Sequence, residues 1–200
     1  MDAVVFDLGG VLIDWDPRYL YKTLFNGDEP AMERFLQTVC PADWNRQMDA
    51  GKPFAEAVAE RQALFPEHAH LIARWHSDWE VMLKDAIPQT LQILSELRER
   101  NVRLYALTNW SAETFPLARA RFPFLEWFEH IVVSGEVKLA KPDPRIFELT
   151  LTRCQLNPHA TVYIDDLAHN VDAARALGMT ALHFRQPGQL RADLQRLGLL

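Results

Sequence analysis

The sequence predicts an α/β protein: a doubly wound parallel sheet interrupted, after its first strand, by an all-helical insertion. Three observations carry this. Ala3-Val4-Val5-Phe6 is a short apolar run that stops at Asp7 and turns on Gly9-Gly10, as a buried parallel strand does. Residues 17–84 then read as helical throughout, without a convincing strand. From Ile87 onward, short apolar strands alternate with helices of ten or so residues, a pattern that specifies right-handed crossovers and a parallel sheet covered on both faces.

Element by element, Asp16 is an N-cap and Pro17 a first-turn proline for a helix over 17–25. Further helices are expected over 30–39, 41–48, 53–64 and 67–83, with breaks at Asn26-Gly27-Asp28 and Gly51-Lys52-Pro53. Pro88 opens an amphipathic helix over 89–100 with Leu91, Ile93, Leu94 and Leu97 on its apolar side, and Asn101 ends it. Strands are expected over 102–107, 131–134, 161–164 and 181–184. Helices are expected over 111–121, 143–154, 168–177 and 189–197.

Composition narrows the function. A formal charge of −6 and the lack of any Lys/Arg cluster remove the electrostatic footprint of a nucleic-acid binder. The N-terminus runs straight into the first strand without a charged n-region and cleavage site, and no apolar run is long enough to cross a bilayer, so neither a leader nor a membrane partner is expected, and the charge pattern makes nucleic acid an unexpected partner too. Cys40 and Cys154 lie far apart and make no metal-ligand spacing, which fits a reducing, cytoplasmic compartment. His68, His70 and His76 lack zinc-site geometry, and His130, His159, His169 and His183 are read as structural.

In parallel sheets ligands sit beyond the C-terminal strand ends, so those ends are where functional side chains are expected. They carry Asp7, Thr108-Asn109 and Asp165-Asp166, while Lys141 lies just before a helix capped by Asp143 and Pro144. Each has an ordinary local role: Asp7 as a turn cap, Thr108-Asn109 as a helix cap, one of the aspartate pair as a cap for the helix at Ala168. Together they form a chemical set. Three carboxylates in a partly dry crevice repel one another, and Mg²⁺, which takes carboxylate and carbonyl oxygens, is the simplest relief. Asp166 is expected as a direct ligand and Asp165 as an outer-shell or second ligand, because successive strand side chains face opposite ways. Asn170, one turn into the helix, is placed to orient either. Thr108, Asn109 and Lys141 stand ahead of helix N-termini, where an anion is favoured; Lys138 is read as the solvated lysine.

Asp7-Leu8-Gly9-Gly10-Val11-Leu12, Leu107-Thr108-Asn109, Lys141-Pro142-Asp143 and Tyr163-Ile164-Asp165-Asp166 with Asn170 and Gly178-Met179 resemble, in order and spacing, the four motifs of the haloacid dehalogenase-like hydrolase superfamily. The resemblance covers the whole chain. It implies a Rossmann-like core over 1–15 and 86–200 and a C1-type cap over 16–85. Met48-Asp49-Ala50-Gly51 with the helix through Phe54 resembles the branch containing glucose-1-phosphate phosphatases. The implied activity is a Mg²⁺-dependent phosphatase acting on a small phosphorylated metabolite, as monomer or homodimer. Asp7 would be the nucleophile that forms an aspartyl-phosphate. Asp7, the carbonyl of Gly9 and Asp166 would hold the metal, and Thr108, Asn109 and Lys141 the phosphoryl oxygens.

One position departs from the pattern. Most phosphatases of this superfamily carry a second aspartate two residues after the nucleophile, as general acid and base; here it is Gly9. Asp14 or a cap residue is the candidate substitute. In the cap, Trp44, Arg46, Lys52 and Trp79 are the residues suited to a sugar face or a distal anion, although Trp75 and Trp79 also have the spacing of a helical core and Arg46 that of a solvated face. A metal-free 2-haloacid dehalogenase and a catalytically weak phosphometabolite sensor are the alternative functions. The extra carboxylates speak against the first and Gly9 favours the second.

Overall fold

The computed structural model describes residues 1–200. Five parallel strands form the main sheet: β1 (Ala3–Phe6), β4 (Arg103–Thr108), β5 (His130–Val133), β6 (Thr161–Asp165) and β7 (Thr180–His183), in the order β5-β4-β1-β6-β7. β1 is central, and the order reverses on either side of it, which opens a crevice at the strand tips. Alternation along β1 splits the core. Val4 and Phe6 join the side covered by α7 (Pro88–Glu99), α8 (Phe115–Arg121) and α12 (Pro187–Arg196), while Ala3 and Val5 join the side covered by α10 (Pro144–Arg153) and α11 (Ala168–Ala176). With both faces buried, the strands have no reason to carry polar residues until they end.

The insertion contains α1 (Arg18–Leu24), α2 (Glu29–Thr38), α3 (Ala42–Asp49), α4 (Phe54–Leu64), α5 (Ala69–Ser77) and the single turn α6 (Trp79–Met82). Its centre is a stack of aromatic rings: Trp75 lies 5.2 Å from Trp44, 5.9 Å from Tyr21 and 6.3 Å from Trp15. The apolar core is continuous from these rings to the sheet through Trp79 on Trp110, 5.6 Å between centroids. Asp49 of the insertion and Ser134, just past the end of β5, are tied directly, the Ser134 Oγ donating to the Asp49 carbonyl at 2.5 Å.

The structure differs from the sequence reading at three places. The strand-free stretch is bounded by an antiparallel ribbon, β2 (Ile13–Trp15) with β3 (Leu83–Ala86), which carries the chain into and out of the insertion. Neither strand has a local pattern, because each is paired only by a segment some seventy residues away. The single helix expected over 67–83 is a 3₁₀ turn at Pro66–His68, then α5 and α6 separated at Asp78, whose φ of −119° and ψ of 24° leave the helical region. The helix expected from 111 begins at Phe115 instead, with Pro116 in its first turn, so Thr108 and Asn109 do not adjoin a helix N-terminus. The intervening turn is pinned by α9 (Ser134–Val137): Trp110 N–H donates to Ser134 Oγ at 2.8 Å, and a Cβ at Gly135 would lie 2.4 Å from the Ala112 nitrogen. The Asp16 carboxylate accepts from the Arg18 N–H at 2.8 Å, while α1 itself starts at Arg18 with Pro17 at the cap position.

Candidate functional site

β1, β4 and β6 are neighbours, so their tips converge. At the centre stands Lys141, 1% exposed, whose ammonium spends all three hydrogens: 2.7 Å to Asp165 Oδ2, 2.9 Å to Asp7 Oδ2 and 3.1 Å to the Leu107 carbonyl. Asn109 holds it there. Its Oδ1 accepts from the Lys141 N–H at 2.8 Å and its Nδ2 donates to the Lys141 carbonyl at 3.0 Å, so the side chain clamps the lysine backbone from both sides. Ahead of α10, Asp143 caps the helix by accepting from the Arg145 N–H, as expected. Lys138 is exposed at the end of α9, in the left-handed region at φ 56°.

The two aspartates at the end of β6 face different ways and carry different loads. Asp165 is fully buried and saturated: besides Lys141 it accepts from Tyr163 Oη at 2.5 Å, the Leu167 N–H at 2.9 Å and Asn170 Nδ2 at 3.0 Å. Burial disfavours its charge, but these donors, Lys141 first, hold its pKa below the usual carboxylate value. Asp166 is half-buried on the cavity wall, its main-chain carbonyl held by His183 Nε2 at 2.9 Å, and its pKa is raised by burial and then by Asp165. Asn170 therefore orients Asp165, not Asp166.

Asp7 accepts from the Leu8 N–H at 2.7 Å and lines the cavity. Burial pushes its pKa up to about 8, with Asp165 and Asp166 adding to the rise and Lys141 opposing it. One lysine does not neutralise the set. Oxygens of Asp7, Asp165 and Asp166 all lie within 4.8 Å of one another. The donors are hard oxygens only, and the approach is kept narrow by Gly10: at φ +73°, a Cβ there would meet Asp166 Oδ2 at 2.6 Å. An oxygen-only donor set with surplus negative charge fits Mg²⁺. The Thr108 hydroxyl is buried without a hydrogen-bond partner; Asn109 rather than Thr108 forms the cavity wall.

The main cavity, about 750 Å³, lies between these tips and the insertion. A smaller one of about 100 Å³ adjoins it, walled by Trp15, Trp79, Trp110 and Asn45 with Gly9, Asn109 and Asp49. Of the expected cap residues, Trp79 lines the small cavity and Arg46 the large one, where it pairs with Asp43 at 3.3 Å. Two expectations are corrected. Trp44 is buried in the aromatic stack with its Nε1 on the Ala57 carbonyl, and Lys52 is drawn away to Glu56 and Glu60; neither lines either of these two cavities. Asp14 is bound by the Tyr19 hydroxyl at 2.8 Å and also lines neither.

Asp49 was read only as part of a motif, yet it lines both cavities. Its Oδ2 accepts from Asn45 Nδ2 at 2.9 Å, and Asn45 Oδ1 accepts from Trp75 Nε1 at 3.2 Å. Burial raises its pKa to about 7 against the Ser111 N–H, Arg46 and Lys141. The only sequence signal was a carboxylate next to the Gly51 break.

A parallel sheet whose strand tips crowd carboxylates around a buried ammonium, facing a cavity under a helical insertion, defines an α/β hydrolase with an acidic crevice. The chain belongs to the haloacid dehalogenase-like hydrolase family, whose model matches residues 1–178. It is 27% identical to the sesquiterpene phosphatase astK of Aspergillus oryzae over 98% of this chain and 95% of that protein. It is 26% identical to the phosphorylated carbohydrates phosphatase of Thermotoga maritima over 92% and 84%. With acyl-CoA dehydrogenase family member 10 of Mus musculus it shares 27% identity over 98% of this chain, spanning only 19% of that protein. A Bacteroides thetaiotaomicron family enzyme crystallised with magnesium and inorganic phosphate has the same fold, with a TM-score of 0.68 at 24% identity over 92% of this chain and 94% of that one. No helix is long and apolar enough to cross a membrane.

Proposed function

We propose that the protein is a Mg²⁺-dependent phosphatase that hydrolyses a small phosphorylated metabolite through an aspartyl-phosphate on Asp7. The observation that carries the reading is the packing of Asp7, Asp165 and Asp166 within 4.8 Å around a single lysine. A metal-free dehalogenase would gain nothing from the surplus carboxylates.

Asp7, the Gly9 carbonyl and Asp166 would hold Mg²⁺, and Asp165, with its oxygens already engaged, would act from behind through Lys141. The bound ion supplies charge neutralisation, letting a carboxylate approach a phosphate dianion and keeping Asp7 ionised at neutral pH. An Asp7 oxygen attacks phosphorus in line while the bond to the leaving oxygen breaks; water then attacks the aspartyl-phosphate and releases inorganic phosphate. The Asn109 N–H, at the cavity wall, binds a phosphoryl oxygen; the Lys141 ammonium, its three hydrogens already placed, supports the shifting charge electrostatically, and the Thr108 hydroxyl, buried and without a partner, is the remaining donor beside them. Residues 16–85 act as a cap over the core formed by 1–15 and 86–200, excluding water from the crevice. Trp15 and Trp110 both line the small cavity, and neither indole N–H has an acceptor. Aromatic walls suit the ring face of a hydroxylated leaving group such as a sugar. Cys40 and Cys154 are buried and unpaired, which fits a reducing, cytoplasmic compartment.

The test is release of phosphate from p-nitrophenyl phosphate with and without Mg²⁺. Metal-dependent turnover, abolished in Asp7→Ala, is expected. Chloride release from a halo acid would favour the dehalogenase instead, and phosphate-ester binding without turnover the sensor that Gly9 suggests.

A further inference from the structure

The site has a nucleophile and an anion cradle, but its core lacks the carboxylic acid that would protonate a leaving group. Gly9 occupies that position, and a Cβ there would have no atom within 4 Å, so the space beside it is open. Asp49 shares that space: the small cavity is bounded by Gly9 and Asn109 on the core side and by Asp49 and Asn45 on the cap side.

The other cap carboxylates on the large cavity are already committed. Asp16 and Glu33 bind Arg18, and Asp43 pairs with Arg46. Asp49 has no cation within ion-pair distance and is aimed by neutral donors. Trp75 fixes the Asn45 amide, which fixes one Asp49 oxygen, and the Ser111 N–H meets the carboxylate from the core side. Its main chain is anchored by Ser134, itself held by the Trp110 N–H, so Asp49 reaches the crevice only when the cap rests on the core. The charged groups around it are Arg46 on its own helix and, across the cavity, Lys141, Asp7 and Asp166. A pKa near neutrality suits a group that must give up a proton and recover it.

We propose that Asp49, delivered by the cap, is the general acid and base of the reaction in place of the carboxylate missing at Gly9. The inference rests on the phosphatase reading above. In the first half, protonated Asp49 donates to the bridging oxygen as the phosphorus–oxygen bond to the leaving group breaks and the bond to Asp7 forms. In the second, ionised Asp49 takes a proton from water as the water oxygen attacks phosphorus and the Asp7–phosphorus bond breaks. Inorganic phosphate leaves and Asp49 is protonated again. Coupling the acid to cap closure also means that an open enzyme is a poor catalyst.

The experiment compares the full-length wild type, Asp49→Asn, Asp49→Glu and the double variant Asp49→Asn with Gly9→Asp, all with Mg²⁺, on p-nitrophenyl phosphate and on a hexose 6-phosphate. p-Nitrophenolate leaves without a proton; a sugar alkoxide does not. Asp49→Asn should lower kcat/KM for the sugar phosphate by on the order of a hundred- to ten-thousand-fold while changing that for the aryl ester less than about tenfold. It should also flatten the basic limb of the sugar-phosphate pH profile and accumulate phosphorylated Asp7, read by mass spectrometry after acid quench. Asp49→Glu should retain part of the sugar-phosphate activity, and Gly9→Asp should restore it to the Asn variant. Equal losses on both substrates, or no loss, would overturn the assignment. A wild type inactive on the aryl ester would instead remove the phosphatase reading itself.

Discussion

Replacing Lys141 by methionine keeps the apolar stem and deletes the ammonium, so the effect is electrostatic rather than a cavity. Asp7 and Asp165 then face each other unpaired, and the Leu107 carbonyl loses its donor at 3.1 Å. Removing one partner of a buried ion cluster costs about 3–5 kcal/mol, and that is the expected loss at pH 8 without metal. The loss depends on pH with a definite sign. In the variant both carboxyls titrate above the unfolded value, so they hold extra protons in the folded state. The stability this confers is present at low pH and lost as pH rises through the folded pKa. In the wild type Asp165 has the opposite shift, so its contribution is present above the unfolded pKa and lost only in acid. Both effects shrink the difference on acidification, by about 1.4 kcal/mol for each pH unit over which one extra proton is held. From pH 8 to 5.5 the deficit should fall to about 0–2 kcal/mol. Urea unfolding in EDTA, followed by tryptophan fluorescence, measures it. A loss below about 1 kcal/mol at pH 8, or the same loss at both pH values, would refute the placement of the ammonium between the two carboxylates.

Two further outcomes follow from the same geometry. With Asp7 shifted to about 8 and Asp49 to about 7, the metal-free wild type holds extra protons in its folded state above pH 4, so its urea midpoint should fall from pH 5 to pH 8. Saturating Mg²⁺ should remove most of that slope, and an unchanged slope would argue against a cation among these carboxylates. Gly10→Ala forces a side chain into the left-handed region and onto Asp166, so it should cost about 1–2 kcal/mol of stability and weaken Mg²⁺ binding in titration calorimetry.

What the sequence by itself determined was everything set by local pattern. Apolar runs ending in Asp7, Thr108 and Asp165-Asp166 mark strand tips, because a strand buried on both faces carries polar groups only where it stops. Asp143-Pro144 likewise marks the helix start that positions Lys141. The tertiary structure alone decided how these residues divide the work. The order β5-β4-β1-β6-β7 brings three tips together, and the alternation of faces along β6 turns Asp165 into the Lys141 network and Asp166 into the cavity. Trp44 and Trp79 look alike as cap tryptophans, yet one is sealed in the aromatic stack and the other walls the crevice, a difference made by how the helices pack. The β2–β3 ribbon and the seat of Asp49 depend on contacts between segments some seventy to eighty-five residues apart. Docking energy summed over an interface sets such contacts, and no window of neighbouring residues encodes it.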